Sequence, residues 1–387
     1  MNTRLTHIAI EGFTSIGRRA EIDLGPLTAL VGPNGAGKSN LLLFFRLLNY
    51  MMSGSLQSFV GRFGGANSLL HFGAKRTQTF SGEIAFETAE GINTYGFQLT
   101  HARPDRLIFA NETIEFQRGD DARNAEPVVL ATGHAESTLL NPENRSRSEC
   151  QAFARCLSSF RFFQFNDTSD ISPLRSRTRA SANSYLRADG GNLAAMLLKL
   201  RDHHPHEYSM LLKTVRLVAP FLEDFVFFPE GGAADEGTSR VAEEDPSADT
   251  WLLLRWRMKD PNYEFGVHQL SDGTLRFIAL ATLLLLPAPL QPLAIFIDEP
   301  ELGLHPKALA VLAGLLRTAS SGTQIICSTQ SPTLLDHFSE EEVLVVERDD
   351  GNTVFRRLDA AMLETWKADY SLGDMWKMNL LGGEAQP

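Results

Sequence analysis

Apolar and polar positions alternate through the opening segment, at Leu5, His7-Ile8, Ile10 and Phe13, the signature of a half-buried strand. Residues 20–24 and 27–31 continue it as a short meander that feeds a buried strand ending at Gly32. From Ser39 the run NLLLFFRLLNYMM is apolar on nearly every side, which predicts a helix enclosed in the middle of an α/β core. Between residues 80 and 118 the segments FSGEIAFET, INTYGFQLT and ETIEFQR repeat the two-residue period, separated by Gly, Asn, Pro and Asp. They predict an antiparallel β-sheet added to the core. After FRFFQF at 160–165 comes an Arg- and Ser-rich loop, then two helices at 192–201 and 207–218 that make a small helical lobe. WLLLRWRM and YEFGV restore strand character. A helix from about 271, a strand at 293–297, a helix from about 306 and a strand at 324–328 follow. Strands alternating with helices imply a mixed, mostly parallel core sheet, an α/β fold. The sequence shows no internal repeat and no heptad run long enough for a coiled-coil arm.

The stretch 230–249 changes this picture, because it carries seven acidic residues against one Arg, with Gly, Ala and Ser between them. It reads as a solvated, mobile loop. The whole chain has 387 residues, 43% of them hydrophobic, and a formal charge of −11. That charge argues against a protein that coats nucleic acid non-specifically, although a local basic patch on an acidic body is compatible with it. The apolar run at 277–286 is about half the roughly 20 residues a bilayer requires, so no membrane partner is expected. The N-terminus lacks the apolar core of a secretory signal. Cys150, Cys156 and Cys327 follow neither a metal-ligand spacing nor a disulfide framework. They read as packing residues in a reducing, cytoplasmic setting.

The candidate chemistry centres on GPNGAGKS, residues 32–39, which fits G-x-x-x-x-G-K-[ST] and lies between a strand and a helix. There the motif has a mechanism. Gly32, Gly35 and Gly37 let the backbone of Pro33, Asn34 and Ala36 curl so that successive N–H groups face a β-phosphate, helped by the helix N-terminus. Lys38 would reach the β- and γ-phosphates, the Ser39 hydroxyl would ligate Mg2+, and Asn40 completes the candidate ATP-binding set. The apolar run LAIFIDEPE stops at two carboxylates. Asp298 suits a Mg2+ ligand through water, and Glu299 suits the residue that orients or deprotonates the attacking water. Read without further context, Ser-Asp-Gly-Thr at 271–274 is an N-cap and turn.

Together these motifs resemble the ABC-class P-loop NTPase heads of the SMC/RecF/OLD group, and more closely the bacterial AAA_21 ATPases. The resemblance covers nearly the whole chain. It implies an ABC-ATPase head whose N-terminal half is 1–165, a helical lobe with the acidic loop at 166–250, and a C-terminal half at 251–387, one discontinuous domain. It implies that LSDGT, residues 270–274, is the signature motif, with Ser271 and Gly273 binding the γ-phosphate held by a second subunit. The departure from LSGGQ argues against a transporter subunit. ELGLHP at 301–306 resembles the dimer-crossing D-loop. Gln330 in CSTQSP stands where the group commonly has a switch His; it can donate a hydrogen bond but cannot carry a proton charge. His305 has two readings, a helix-capping or interface residue or one that takes over part of that task. Gln164 is the candidate Q-loop contact to Mg2+, with Asn166 and Asp167 close enough to compete for the role.

Arg175, Arg177, Arg179 and Arg187 lie in a loop without acids, 172–187, a set suited to DNA phosphate or to a nucleotide across a dimer interface; a solvated loop is the other reading. The tail places Leu372, Met375, Trp376 and Leu380 on one helical face that stops at Gly-Gly. The expectation is therefore an ATPase that forms a homodimer around two ATP molecules and drives or gates a DNA-related process, in repair or in defence against phage. OLD-type relatives continue into a nuclease domain, and the chain ends soon after its switch motif, so the resemblance implies a separate effector, such as a nuclease. The alternative is a regulatory scaffold that controls that effector without touching DNA.

Overall fold

A computed structural model describes residues 3–89, 91–118, 127–145, 147–230, 250–259 and 263–382. The acidic stretch, apart from Glu230, lies outside the described residues. The chain divides into two compact units. The first comprises Met1–Phe162, Pro292–Phe296 and Thr323–Pro387, and the second Phe163–Gln291 and Ile297–Gly322.

In the first unit, β1 (Arg4–Glu11) pairs antiparallel with β2 (Ala20–Asp23), and β3 (Leu27–Val31) leads into the helix Lys38–Met52. The strands β4 (Thr79–Thr88), β5 (Gly91–Ala102), β6 (Arg106–Arg118) and β7 (Val128–Ala131) extend the antiparallel sheet in the order β2-β1-β4-β5-β6-β7. This is the added sheet expected from the period-2 segments. A second sheet uses β8 (Arg161–Phe163), β13 (Ala294–Asp298), β14 (Gln324–Thr329), β15 (Val343–Asp349) and β16 (Asn352–Arg357), in the order β16-β15-β3-β14-β13-β8. There β3 runs parallel to both β14 and β15, and β16 turns back antiparallel. Every residue of β3 is buried, as a central strand with covered faces requires.

The helix Lys38–Met52 packs against both sheets, which is why it is apolar nearly all round. Phe44 meets Phe97 of β5, with ring centroids 6.2 Å apart, and Phe45 meets Phe296 of β13 at 4.5 Å. Both phenylalanines are fully buried, each contributing about 1.5–3 kcal/mol of transfer free energy. A polar clamp ties β14 to the start of the antiparallel sheet. Gln324 accepts from the Leu5 amide at 3.0 Å and donates to the carbonyls of Leu5 and Gly25 at 2.7 and 2.8 Å.

The second unit contains a small antiparallel sheet of β9 (Thr178–Arg179), β10 (Leu222–Glu230), β11 (Trp251–Met258) and β12 (Glu264–Gly266). Against it pack the helices Leu193–His203 and Pro205–Val218, which also contact Asp272–Leu284. The first two are the helices read at 192–201 and 207–218, extended by one turn or less. Burial pushes the Cys156 thiol of the first unit up to about 11, and Cys150 is raised by the same cause, which suits packing rather than reactive residues.

The tail departs from expectation. Its helix covers Leu372–Lys377 and ends before Gly382, because Asn379 takes a left-handed φ of 57° and closes the turn. Met375 is buried, whereas Leu380 is exposed. Among the described residues, no helix is long and apolar enough to cross a membrane.

Replacing Gln324 by Leu keeps its volume but strands one amide and two carbonyls. The variant is expected to lose at least about 2 kcal/mol in urea unfolding, since each unsatisfied buried group costs about 1–3 kcal/mol; an unchanged midpoint would contradict the clamp.

Candidate nucleotide-binding site

The loop 32–39 connects β3 directly to its helix. Gly35 and Gly37 have φ of 80° and 116°, and Gly37 is the N-cap. A side chain on Gly37 would also run into Thr353. Both constraints, the left-handed backbone and the contact, exclude any other residue there. The helix has no side-chain cap and no acid in its first turn, so its N-terminal dipole faces outward without a competing anion. Ser39, Asn34 and Gly35 are exposed, while Lys38 is buried and folds back so that its Nζ donates to the carbonyls of Gly32 and Pro33 at 2.6 and 2.9 Å. The lysine charge is thus held against the loop itself, where it would complement an anion on the loop amides.

A relay of hydroxyls braces this loop from below. Asn40 Nδ2 donates to Ser15 Oγ at 2.5 Å, the Ser15 and Thr353 hydroxyls lie 2.7 Å apart, and Thr353 Oγ1 donates to the Ala36 carbonyl at 2.8 Å. Ser15 belongs to the β1–β2 connection and Thr353 to β16, so two distant segments fix the loop's curvature. Neither residue was singled out from sequence, because a Ser and a Thr far apart in the chain carry no motif. Gln330, at the end of β14, donates to Asn34 Oδ1 at 2.8 Å, which brings the expected switch position onto the loop.

In the second unit, Asp298 and Glu299 are half-buried at the end of β13. Glu299 has a φ of 48°, a left-handed conformation that costs a side-chain-bearing residue about 1–3 kcal/mol and concentrates at functional positions. Ser271 caps the helix Asp272–Leu284, its Oγ accepting from the Thr274 amide at 3.3 Å. A Cβ on Gly273 would stand 2.5 Å from the Gly303 carbonyl, so the first helical turn packs directly on the 301–306 loop. His305 caps the helix Pro306–Ala319, Nδ1 accepting from Lys307 N at 3.2 Å.

Arg276, which the sequence reading passed over, organises this region. It is 5% exposed, and its guanidinium donates to Phe165 O at 2.7 Å, to Asn166 O at 3.0 Å and to Leu302 O. Desolvation lowers its pKa. One side chain therefore joins the helix after Ser271 to the segment that carries Gln164 and to the 301–306 loop. A lone arginine inside the apolar run LRFIAL was the available signal. Gln164 itself is exposed, and its amide donates to Ala188 O at 3.1 Å.

The four arginines of the loop 172–187 do not act as one set. Arg175 is 5% exposed and donates to Val267 O, Leu270 O and Asp272 Oδ1, the last at 2.7 Å. It braces the turn before Asp272 and does not offer its charge to an external phosphate. Arg177 and Arg179 are exposed beside the Trp251 ring, each 5.4 Å from its centroid, and Arg187 pairs with Asp189 at 3.2 Å.

Among the described residues no cluster of three or more His, Cys, Asp or Glu could hold a metal ion by itself, so a Mg2+ ligated by the Ser39 hydroxyl would need phosphate oxygens and water to complete its shell.

Residues 27–336 match the family model described as "AAA domain, putative AbiEii toxin, Type IV TA system". The chain is similar to the Old nuclease of Escherichia phage P2, with 24% identity over 94% of this chain and 62% of that protein. It thus spans less than two thirds of that relative's length. Among solved structures, an SMC head bound to the C-terminal winged-helix domain of ScpA matches with a TM-score of 0.58 and 13% identity, covering 94% of this chain and 99% of that one. An SMC head with an extended coiled coil, bound to the C-terminal domain of ScpA from Pyrococcus furiosus, matches at 0.54 and 13%, covering 95% and 99%. At these identities the structures establish the fold alone.

Replacing Arg276 by Met is expected to destabilise the protein by about 2–3 kcal/mol in chemical denaturation, because hydrogen bonds from a charged donor contribute about 1.5–3 kcal/mol each. Arg276→Lys should recover only part of the loss, since an ammonium cannot reproduce the guanidinium fork; full recovery by Lys would contradict this geometry.

Proposed function

This chain belongs to the AAA_21 family of P-loop ATPases, and we propose that it forms a homodimer around two ATP molecules and uses their binding and hydrolysis to gate a process on DNA, acting on a separate effector protein such as a nuclease. The observation that carries the reading is the loop 32–39, with its left-handed Gly37, its uncapped helix and Lys38 held against it. Gly32 to Asn40 would bind the triphosphate, Ser39 would ligate its Mg2+, and Asp298 and Gln164 are the residues of the second unit that would contribute to holding the ion. Bound Mg2+ would neutralise the charge that develops on the phosphate oxygens. Glu299 orients and deprotonates the attacking water, while Gln330, anchored on Asn34, senses the γ-phosphate. Ser271 and Gly273 engage the nucleotide held by the second copy through the N-terminus of their helix.

Similarity to the Old nuclease supports a DNA-related setting, in defence against phage or in repair. Arg177, Arg179 and Arg187 are the candidates for contact with phosphate; Arg175 is withdrawn from that set by its burial. A second reading gains from the same burial: the ATP-bound dimer acts as a regulatory scaffold for a partner nuclease without touching DNA. DNA binding that weakens when Arg177, Arg179 and Arg187 are changed together, and that falls steeply with salt, would favour direct action.

Glu299→Gln is expected to slow ATP turnover by at least about 100-fold, the usual contribution of a general base, and to accumulate an ATP-bound dimer in light scattering. Unchanged turnover without added association would remove Glu299 from this role. Lys38→Ala is expected to abolish ATP binding in calorimetry, and retained affinity would count against the site as a whole.

A further inference from the structure

In the first unit an open cavity of about 480 Å³ is lined by Arg18, Phe72, Arg76, Asp350 and Asn352, among others. A neighbouring cavity of about 350 Å³ shares Phe72 and Gly351 with it and reaches Thr14 and Ser15. These cavities adjoin the phosphate loop through the hydroxyl relay. Ser15 lines the second, and Asn352, which lines the first, directly precedes Thr353, whose hydroxyl holds Ala36.

Phe72 is an unusual lining residue. It is 59% exposed, and its φ of 55° is left-handed, a conformation that a bulky side chain avoids. Its neighbours enforce the position. His71 is buried, its amide bonded to Gly12 O at 3.0 Å and its Nδ1 to Thr14 O at 2.8 Å, and Gly73 N closes the turn on Leu70 O at 2.9 Å. With His71 fixed inward, the next side chain is turned out over the cavity. The Arg76 guanidinium lies 4.7 Å from the Phe72 ring centroid, so the exposed aromatic is paired with a flat cation. An aromatic face backed by arginine is a surface on which nucleobases stack.

Arg18 is placed between Asp349 and Asp350, 3.4 Å from each, so its charge is largely compensated. Beside the aromatic face, the Asp350 carboxylate and the Asn352 amide offer a flat ligand hydrogen-bonding partners. The β-phosphate in the loop is joined to its base by only an α-phosphate and a ribose.

We propose that this cavity is the subsite for the purine base of the nucleotide, with Phe72 and Arg76 as its stacking surface and the carboxylate of Asp350 and the amide of Asn352 as hydrogen-bonding groups at its rim. The proposal rests on the phosphate-loop reading above and assigns base recognition to segments outside every nucleotide motif in the sequence.

Calorimetric titration with Mg·ATP and with Mg·tripolyphosphate separates the two. Wild type is expected to bind ATP at least about tenfold more tightly than tripolyphosphate, the equivalent of one base stack. Phe72→Ala should erase most of that ratio while leaving tripolyphosphate affinity unchanged, which also shows that the variant is folded. Phe72→Trp should retain the ratio. Equal wild-type affinities for the two probes, or an unchanged ratio in Phe72→Ala, would overturn the base subsite while the phosphate loop stood. If wild type bound neither probe, both readings would fall together.

Discussion

A curled backbone that must hold several amides on one anion, with no side chain of its own to steer it, is the constraint on which the rest of this structure depends. Such a loop is costly to keep in place, because two of its glycines occupy left-handed conformations and lose more entropy on ordering than other residues. The fold supplies the restraint from three directions. The buried strand β3 fixes where the loop begins, the helix between two sheets fixes where it ends, and the hydroxyls of Ser15 and Thr353 hold its middle. Lys38 then binds two carbonyls of the loop it serves. The loop's curvature is thus held by contacts within the chain itself, as electrostatic preorganisation requires.

The second unit solves a similar problem with a different device. Besides the carboxylates at the end of β13, its candidate residues are spread over the 164–166 segment, the turn before Asp272 and the 301–305 loop, which lie outside helices and strands. Two buried arginines take the place of a sheet. Arg276 gathers the carbonyls of the first and last of these segments, and Arg175 gathers those of the turn. Guanidinium groups suit the task because each spans several acceptors in a rigid fork. Their burial is tolerable because every bond that replaces water is charge-assisted. Gly273 packs on Gly303 for a reason independent of any ligand, so the glycine in the 270–274 motif has a structural role as well as the proposed functional one.

The architecture was largely legible from period and punctuation. Alternation over 80–118 identified the antiparallel sheet, the all-round apolar run after Ser39 identified a helix covered on both sides, and the phosphate loop named its own position. What escaped was short or non-local. The helices Leu56–Arg62 and Ser148–Ser158 are too short or too mixed in polarity to declare themselves against their loops. Arg175 looked like its three neighbours, and only the tertiary structure shows that its guanidinium turns inward. Ser15, Thr353 and Phe72 are functional candidates by proximity alone, a property that neither spacing nor composition encodes. Sequence located the residues at the phosphate loop and the β13 carboxylates, because each ends an apolar strand with residues that a buried strand does not carry.

Amide hydrogen exchange across residues 34–40, with and without saturating Mg·ATP, tests the central claim most directly. If these backbone N–H groups grip the phosphates, their exchange slows on binding, and slows further there than at the β5–β6 turn around Arg103. ATP binding that leaves exchange at 34–40 unchanged would place the nucleotide elsewhere and contradict this account.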